Sequence, residues 1–312
     1  SCPWISTIPA KPKRATNRLD ATAKLDGEDD AGEHGGGVSE TASLLCTLDE
    51  TLDNYSTDSA VSRLNQSGTL SGEEDVSRLV QETAALQRTY GDSVDLTVGQ
   101  LTRLWGITTD TPHVPTRAEL AEVLPTISPE HVSVRADGTV TLTDGAQLDC
   151  GAVGKGYSLD RVKAALDESG TAAWGTVSMT SSILCYGEKP DGAAFQIQIR
   201  DPDGDGTLGT VSTDSCFLST SGGYERYFIA DDGKKYCHIL DPKTGMPAES
   251  DLTTVTVFCD SGLKSDFLST LIWMEGSKNL PAHLKAKDYQ IVAQDTAGTL
   301  YVSDGLDFTP DA

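Results

Sequence analysis

The chain has 312 residues, of which 38% are hydrophobic, and its formal net charge is -23. Such a length suffices for one large domain or two closely joined domains, with a sizeable core in either case. The acidic balance argues against proteins that bind nucleic acid or anionic lipid through a general basic surface. It fits a protein whose anionic ligands are held by local donors or by a metal ion. No run of about 18 apolar residues occurs, so the sequence predicts no membrane-spanning segment.

The first part of the chain is predicted to be mainly helical. A polar leader over residues 1–17 and a weak strand within 19–25 precede an acidic, glycine-rich loop. Leucines then recur at helical spacing in residues 39–54, which predicts an amphipathic helix. Further helices are predicted over 59–65 with a cap at Asp58 or Ser59, over 73–90, after Asp95, and over 117–124 with a cap at Thr116.

From about residue 130 onward, the pattern is mainly strands and turns around two helices. Residues 132–134 and 140–142 form a predicted hairpin with an Asp-Gly turn, and helices are predicted at 157–168 and 264–275. The sequence therefore predicts an α+β fold with mostly antiparallel sheets and flanking helices. The other predicted strands are 173–179, 183–187, 194–200, 208–213, 216–220, 225–230 and 252–259, followed by a final helix-strand-strand unit.

The cysteines are scattered and show no metal-binding spacing. There is no C-x-x-C pair and no histidine at zinc-finger spacing, so a zinc site is not expected. Cys2 lies in the polar leader and is either a lipid-modified terminal cysteine or a free thiol. Those in apolar or strand-like contexts are expected to be small core residues: Cys46, Cys150, Cys185, Cys216 and Cys259.

A histidine and a carboxylate lie three positions apart, just before a Pro/Thr/Gly turn. The segment is Tyr236–Gly245, and it contains His238 and Asp241. The aspartate could orient the imidazole for acid–base chemistry, or it could cap the turn. A histidine in such a strand-like run is also consistent with an ordinary structural residue.

A carboxylate and a hydroxyl recur four positions apart in a predicted helix. Asp266 and Thr270 therefore share one helix face. Their oxygens are hard ligands, suited to Mg²⁺ or Ca²⁺ rather than to zinc. The other interpretation is a helix whose first turn carries an aspartate because the helix dipole favours it.

Three glycines and Lys155 lie between a predicted strand and a predicted helix, in Asp149–Tyr157. Backbone N–H groups and a helix N-terminus at this point can hold a phosphate, with the lysine as a point charge. The spacing differs from the Walker motif, and a tight structural turn is an equal alternative. The small-residue turn Ser219–Tyr224 allows the same two interpretations.

An aspartate-rich turn resembles the first half of a calcium loop. Asp201–Gly206 has the D-x-D-x-D-G pattern, but the position of the bidentate glutamate holds Ser212. The segment lies between two strand-like runs, where Asp/Gly clusters form hairpin turns. The turn is therefore the favoured interpretation.

Six segments together resemble the ApbE family, the FAD:protein FMN transferases. They occur in the family's order and span about 220 residues, so the match is far more specific than any single segment. The segments are Thr57–Asn65, Asp95–Gly106, Asp149–Tyr157, Ser219–Phe228, His238–Pro247 and Val255–Gly276.

The resemblance implies one domain over 18–312, helix-rich at about 39–125 and strand-rich at about 130–312, with a flavin site between the halves. It implies Mg²⁺-dependent transfer of FMN from FAD to a threonine hydroxyl of a target flavoprotein, with release of AMP. The target would be a protein such as a subunit of a membrane redox complex. An extracytoplasmic location with a lipid anchor is also implied, and Cys2 is compatible with it.

The resemblance also implies roles for individual residues. The catalytic residues would be His238, Asp241 and Lys155. Mg²⁺ would be held by Asp266, Thr270 and the backbone near Ala152 and Gly154. The residues that would bind the flavin nucleotide are Tyr55, Asn65, Asp95, Thr97, Lys155, Ser221, Gly222, Tyr224, His238 and Thr244.

The chain departs from the family pattern at three places. The family's N-L-G-G-D/N turn aligns with Ser178–Ser182, so Thr180 and Ser181 replace two glycines and would crowd that edge of the pocket. The usual histidine pair is Cys237–His238 here, and the opening strand is represented only loosely by Leu19–Thr22. Two alternatives stay open: an FAD pyrophosphatase, in which water replaces threonine, and a flavin-binding protein that has lost turnover.

Overall fold

The computed structural model describes residues 22–26 and 36–311, with side chains from residue 37 onward. The predicted leader, Cys2 and most of the acidic loop lie outside the described residues. Within the described part, no helix is both long enough and apolar enough to cross a membrane. The extent of the single predicted domain stays a prediction.

The helices begin at local signals that the sequence carries. Ser59 accepts a hydrogen bond from the Ser62 amide, and Thr116 forms a capping box with Glu119, so both predicted caps are confirmed. The α-helices of the described residues are α1 (Gly36–Leu52), α2 (Ala60–Ser67), α3 (Glu74–Tyr90), α4 (Gly99–Trp105), α5 (Arg117–Val123), α6 (Gly154–Ser169), α7 (Gly262–Glu275) and α8 (Leu280–His283).

Strands occupy most of the second part of the chain and confirm its predicted β character. The hairpin predicted at 132–142 is present, and a short strand at the C-terminal end was not predicted. The strands are β1 (Thr22–Asp26), β2 (Thr69–Leu70), β3 (Val132–Val134), β4 (Val140–Leu142), β5 (Trp174–Met179), β6 (Ser182–Gly187), β7 (Phe195–Arg200), β8 (Thr207–Thr213), β9 (Cys216–Gly222), β10 (Tyr227–Ile229), β11 (Lys235–Cys237), β12 (Leu252–Cys259), β13 (Gln290–Asp295), β14 (Leu300–Val302) and β15 (Phe308–Pro310).

One seven-stranded antiparallel sheet organises the fold, in the order β1-β5-β6-β9-β12-β13-β14. Smaller sheets have the orders β2-β4-β3, β15-β8-β7 and β10-β11. The predicted α+β class with mostly antiparallel sheets is therefore confirmed. Asp201–Gly206 forms the turn between β7 and β8, closed by a hydrogen bond from the Asp201 amide to the Gly206 carbonyl at 3.0 Å.

The large sheet is covered on both faces, as its alternating side chains require. On β6, Leu184 packs in the cluster that includes residues of α6, whereas Cys185 packs with the β7-β8 sheet. On β9, Phe217 and Leu218 divide between the same two clusters. Helices α6 and α7 thus lie on one face of the sheet and the β15-β8-β7 sheet lies on the other.

Helices α6 and α7 approach each other so closely that both carry glycine at the contact. A Cβ on Gly156 would overlap the Gly262 carbonyl oxygen and lie 2.8 Å from Asp266 Cβ, and a Cβ on Gly262 would overlap Gly156. Asp160 of α6 reinforces the contact by accepting hydrogen bonds from the Gly262 and Leu263 amides at 2.7 and 2.8 Å. The sequence interpretation placed Gly156 in a phosphate turn, whereas it lies inside α6 and sets the distance between two helices.

Candidate active site

A cavity of about 280 Å³ lies between the helical part of the chain and one end of the large sheet. One wall comes from the α1–α2 connection and α4, and the other comes from the first turn of α6, from α7 and from β9. The structure brings together these predicted site residues on its surface: Tyr55, Asp95, Ala152, Gly154, Lys155, Ser221, Gly222, His238, Asp266 and Thr270.

Asp266 is a buried carboxylate on this surface, with only 3% of its side chain exposed. Its Oδ1 lies 3.4 Å from Lys155 Nζ and accepts a hydrogen bond from Ser182 Oγ at 3.2 Å. Its Oδ2 accepts a hydrogen bond from the Gly156 amide at 2.9 Å. A buried charge is strongly unfavourable unless it is paired and hydrogen-bonded, and this site meets both conditions. The close contact of α6 with α7 therefore assembles the charged centre of the cavity.

Hydroxyl groups surround the next turn of α7. Ser221 Oγ on β9 lies 2.8 Å from Ser269 Oγ and 3.0 Å from Thr270 Oγ1. These hard oxygens lie one helical turn from Asp266, as the spacing in the sequence predicts. Within the described part of the chain, no three His, Cys, Asp or Glu side chains cluster as a metal site. A cation at Asp266 would therefore depend on hydroxyl, main-chain or substrate oxygens.

His238 lies half-buried at the cavity, immediately after β11 rather than within a strand. Its Nδ1 is 3.1 Å from the Arg226 carbonyl oxygen, and since a carbonyl only accepts, Nδ1 carries the proton and Nε2 is an acceptor. Burial, followed by the positive charges of Arg226 and Lys155, lowers the pKa of His238 to about 4. The imidazole is therefore neutral at pH 7, as a general base must be.

Asp241 does not orient His238, which corrects the sequence-based prediction. Its Oδ1 accepts a hydrogen bond from the Lys243 amide at 2.8 Å, and its Oδ2 accepts one from Thr244 Oγ1 at 3.0 Å. Neither Asp241 nor Thr244 lines the cavity. Both instead stabilise a turn that contacts α4. In that turn, the Gly245 carbonyl accepts a hydrogen bond from the indole N–H of Trp105 at 2.7 Å.

Asn65 and Thr97 also lie behind the cavity surface rather than on it. Asn65 clamps Leu148 by donating to its carbonyl at 2.9 Å and accepting from its amide at 2.6 Å. Thr97 Oγ1 donates to Asp95 Oδ1 at 2.8 Å and accepts from the Ser128 amide at 2.9 Å. The two side chains therefore hold the loops that carry the cavity wall.

Tyr224 is likewise a supporting residue. A Cβ on Gly222 would overlap the Tyr224 ring, so the glycine allows the ring to pack against the end of β9. Burial raises the pKa of the Tyr224 hydroxyl. Of this pair, Gly222 lines the cavity and Tyr224 does not.

Asp149 is a well-connected residue of the cavity surface that sequence reasoning left without a role. Its Oδ2 accepts hydrogen bonds from Asn54 Nδ2 at 3.1 Å and Thr102 Oγ1 at 2.7 Å, and its Oδ1 accepts one from the Gly151 amide at 2.8 Å. It thereby joins the two walls of the cavity. The sequence signal was its place at the head of the glycine-rich segment, but its side-chain partners are 95 and 47 residues away.

Glu225 and Arg226 also line the cavity and were not predicted. Burial raises the pKa of Glu225, while the positive charges of Lys155 and Arg226 oppose that shift. The cavity therefore carries several local charges of both signs within a protein of strongly negative net charge.

Sequence comparison shows which protein family the chain belongs to. The ApbE family matches residues 19–293. The chain belongs to the ApbE family. A relative from Treponema pallidum (strain Nichols), an FAD:protein FMN transferase, is 32% identical over 269 residues, which cover 80% of this chain and 74% of the relative. The FAD:protein FMN transferase of Salmonella typhimurium is 29% identical over 238 residues, covering 73% and 67%.

Solved ApbE structures share the fold. The ApbE protein of Thermotoga maritima superposes with a TM-score of 0.79 at 25% identity, over 91% of this chain and 97% of that one. The Pseudomonas stutzeri flavinyl transferase ApbE gives 0.79 at 28% identity, over 91% of both chains. The predicted ApbE membership and fold are confirmed, and so is the prediction of an enzyme of the flavin transferase class.

The departure from the ApbE turn pattern has a visible structural effect. Thr180 and Ser181 form the two-residue turn between β5 and β6 and line the cavity. Thr180 has a φ of 58°, in the left-handed region that a β-branched residue rarely adopts. Glycine is favoured at the first central position of such hairpin turns when φ is positive. Replacement of the ApbE glycine by threonine therefore strains the backbone at the rim of the cavity.

We expect Thr180→Gly to raise the free energy of unfolding by about 0.5–1 kcal/mol, because relief of left-handed strain outweighs the added chain entropy. Urea unfolding measures the difference. Ser181→Gly is the matched control: it lies in the same turn without positive φ, so it should lower the free energy of unfolding. Stabilisation by Ser181→Gly but not by Thr180→Gly would contradict the strain at Thr180.

Proposed function

We propose that the protein transfers FMN from FAD to a threonine hydroxyl of a target flavoprotein and releases AMP. The observation that carries the proposal is the placement of Asp266, Lys155 and a neutral His238 on one cavity in a chain of the ApbE family. A carboxylate, an ammonium group and a base are the groups that phosphoryl-type transfer requires.

The reaction is a displacement at the FMN phosphorus of FAD. The threonine oxygen forms a bond to that phosphorus, the bond from the same phosphorus to the bridging oxygen breaks, and AMP leaves with the oxygen. His238 Nε2 accepts the threonine proton, since its neighbour Nδ1 is already protonated. Lys155, which lies at the first turn of α6, binds and orients the negatively charged pyrophosphate.

Mg²⁺ fits the donor set at Asp266. The carboxylate and the Thr270 hydroxyl are hard oxygen ligands, and Ala152 and Gly154 line the same cavity. Mg²⁺ commonly uses one or two carboxylates together with water and substrate phosphate oxygens, which agrees with a single acidic ligand. When bound, the ion would neutralise charge on the pyrophosphate. Lys155 balances Asp266 in the structure described here.

The opposite wall is suited to the flat, largely apolar part of a flavin nucleotide. It contains Tyr55, whose hydroxyl accepts a hydrogen bond from Thr108 Oγ1 at 3.2 Å, and the buried Trp105. Burial, followed by the negative charge of Asp149, raises the pKa of Tyr55, so its hydroxyl stays protonated and available to donate.

Product analysis distinguishes the three functions that the sequence leaves open. The protein is incubated with FAD and Mg²⁺, with and without a threonine-bearing acceptor domain, and the nucleotides are separated by chromatography. AMP that forms only when the acceptor is present supports transfer. Equal amounts of FMN and AMP without acceptor would identify a pyrophosphatase, and intact FAD with saturable binding would identify a flavin-binding protein.

The low pKa of His238 gives a pH prediction. Because burial and two cations disfavour the imidazolium, the ring should titrate near pH 4 and remain neutral from pH 5.5 to 8. Histidine proton resonances followed by NMR over pH 3.5–8 measure this directly, and His238→Asn identifies the signal by its loss. Titration of that signal near 6.5 would contradict the burial argument. The same depressed pKa means that His238 supports folding above about pH 6.5 and that this support fades as pH falls toward 4.

We further propose that the protein acts outside the cytoplasm and is held at the cell membrane by a lipid on Cys2. The support is the family resemblance and the presence of Cys2 in a polar leader. Fractionation of cells that express the natural protein, beside a Cys2→Ser variant, tests it. Release of the variant alone into the soluble fraction is the expected result, and identical distribution would contradict the anchor.

A further inference from the structure

Two cysteines face each other across neighbouring strands of the large sheet. Cys185 of β6 and Cys216 of β9 are directly paired in the antiparallel register. Residues paired in this way point to the same face and have Cα atoms about 4.5–5.5 Å apart. A disulfide spans Cα separations of about 4.4–6.8 Å, so the backbone already has the spacing that the bond needs. Both cysteines are free thiols in the structure.

The two thiols differ in a way that suits disulfide exchange. Cys185 is fully buried, whereas Cys216 is partly exposed near the start of β9. Cys216 Sγ lies 3.3 Å from Thr213 Oγ1. The neighbouring Cys185 thiol, together with the Thr213 hydroxyl, lowers the pKa of Cys216. Cys216 is thus the reachable nucleophile, and Cys185 is the thiol placed to resolve an intermediate.

We propose that Cys185 and Cys216 form a cross-strand disulfide by exchange with a low-molecular-weight disulfide such as oxidised glutathione. The Cys216 thiolate attacks one glutathione sulfur, and the other leaves as glutathione thiolate. Cys185 then loses its proton and attacks Cys216 Sγ, which releases the second glutathione. Two protein thiols are oxidised and one glutathione disulfide is reduced to two thiols.

The bond would tie together two strands that carry the candidate site at their other ends. Ser182 of β6 binds Asp266, and Ser221 of β9 binds Thr270, both on the face that α7 covers. The cysteine pair lies on the opposite face, beneath the β7-β8 sheet. The bond would therefore fix the sheet without touching the charged centre, and the inference does not depend on the proposed function.

Peptide mapping tests the inference on the whole chain. The protein is equilibrated with oxidised and reduced glutathione, blocked with an alkylating reagent in denaturant, and digested. A peptide that links Cys185 to Cys216, with a melting temperature about 5 °C above that of the reduced protein, is expected because the bond closes a loop that contains β7 and β8. Alkylation of both cysteines after oxidising equilibration would overturn the proposal.

Single variants test the order of the two steps. Cys185→Ala should leave Cys216 with one stable glutathione, whereas Cys216→Ala should take up none at Cys185, which is buried. Cys46→Ala is the control and should still form the link. If Cys216 of the wild-type protein kept its glutathione and Cys185 were found alkylated, the two cysteines could not form the disulfide, and the proposal would also be overturned.

Discussion

Asp266→Asn is expected to lower kcat/KM for FMN transfer by at least about 10³-fold while the protein stays folded. The substitution preserves size but removes the negative charge that pairs with Lys155 and that would bind Mg²⁺. Any residual rate should no longer increase with Mg²⁺ concentration, because the single carboxylate of the proposed ion site is gone. Initial rates over a range of Mg²⁺ concentrations, with circular dichroism to verify folding, measure both effects.

Asp160→Asn is the matched control for this prediction. Asp160 is another largely buried carboxylate, and burial raises its pKa, but it caps the start of α7 and does not line the cavity. Its loss should reduce the free energy of unfolding by about 1–2 kcal/mol and leave kcat/KM close to wild type at low temperature. An equal loss of kcat/KM in both variants would contradict a specific role for Asp266. It would indicate instead that removing any buried charge lowers activity.

Gly156→Ala is expected to reduce the free energy of unfolding by about 3 kcal/mol, near the upper end of overpacking effects. The new methyl group would overlap the Gly262 carbonyl and force α6 away from α7. Because the Gly156 amide holds Asp266 Oδ2, the same shift should weaken FAD turnover in the molecules that remain folded. Thermal unfolding and urea unfolding measure the loss.

Gly154→Ala tests whether the effect belongs to the helix contact. Gly154 lies in the same first turn of α6, but a Cβ there would meet only Cys150 Cβ, at an ordinary 3.6 Å. The variant should be as stable as wild type or slightly more stable, since alanine favours the helix. Equal stability of Gly156→Ala and Gly154→Ala would contradict the close packing of α6 on α7.

Local signals made much of the fold predictable. The caps at Ser59 and Thr116 act within three or four residues, so the sequence alone reveals them. Alternating side chains likewise revealed strands such as β7, in which every second side chain is buried and the ones between are exposed. The start of α6 was predicted three residues late, since no side chain caps it and its first glycines look like a turn.

Contacts between distant segments explain what the sequence could not reveal. Position 156 needs a glycine because Gly262 lies directly against it, and Ser182 hydrogen-bonds to Asp266, which is 84 residues away in the sequence. Neither role has a local sequence pattern. Asp241 was assigned to His238 because the two are close in sequence, but its oxygens are already used within its own turn. The Asp266–Thr270 pair was predictable because helical periodicity alone places both on one face.

The most direct measurement is the mass of a threonine-bearing acceptor domain after incubation with the protein, FAD and Mg²⁺. The expected result is a single addition of FMN less one water, located on the threonine and absent when that threonine is alanine or when Asp266→Asn replaces the wild-type protein. An acceptor of unchanged mass, while FAD is cleaved to FMN and AMP in the same tube, would contradict transfer.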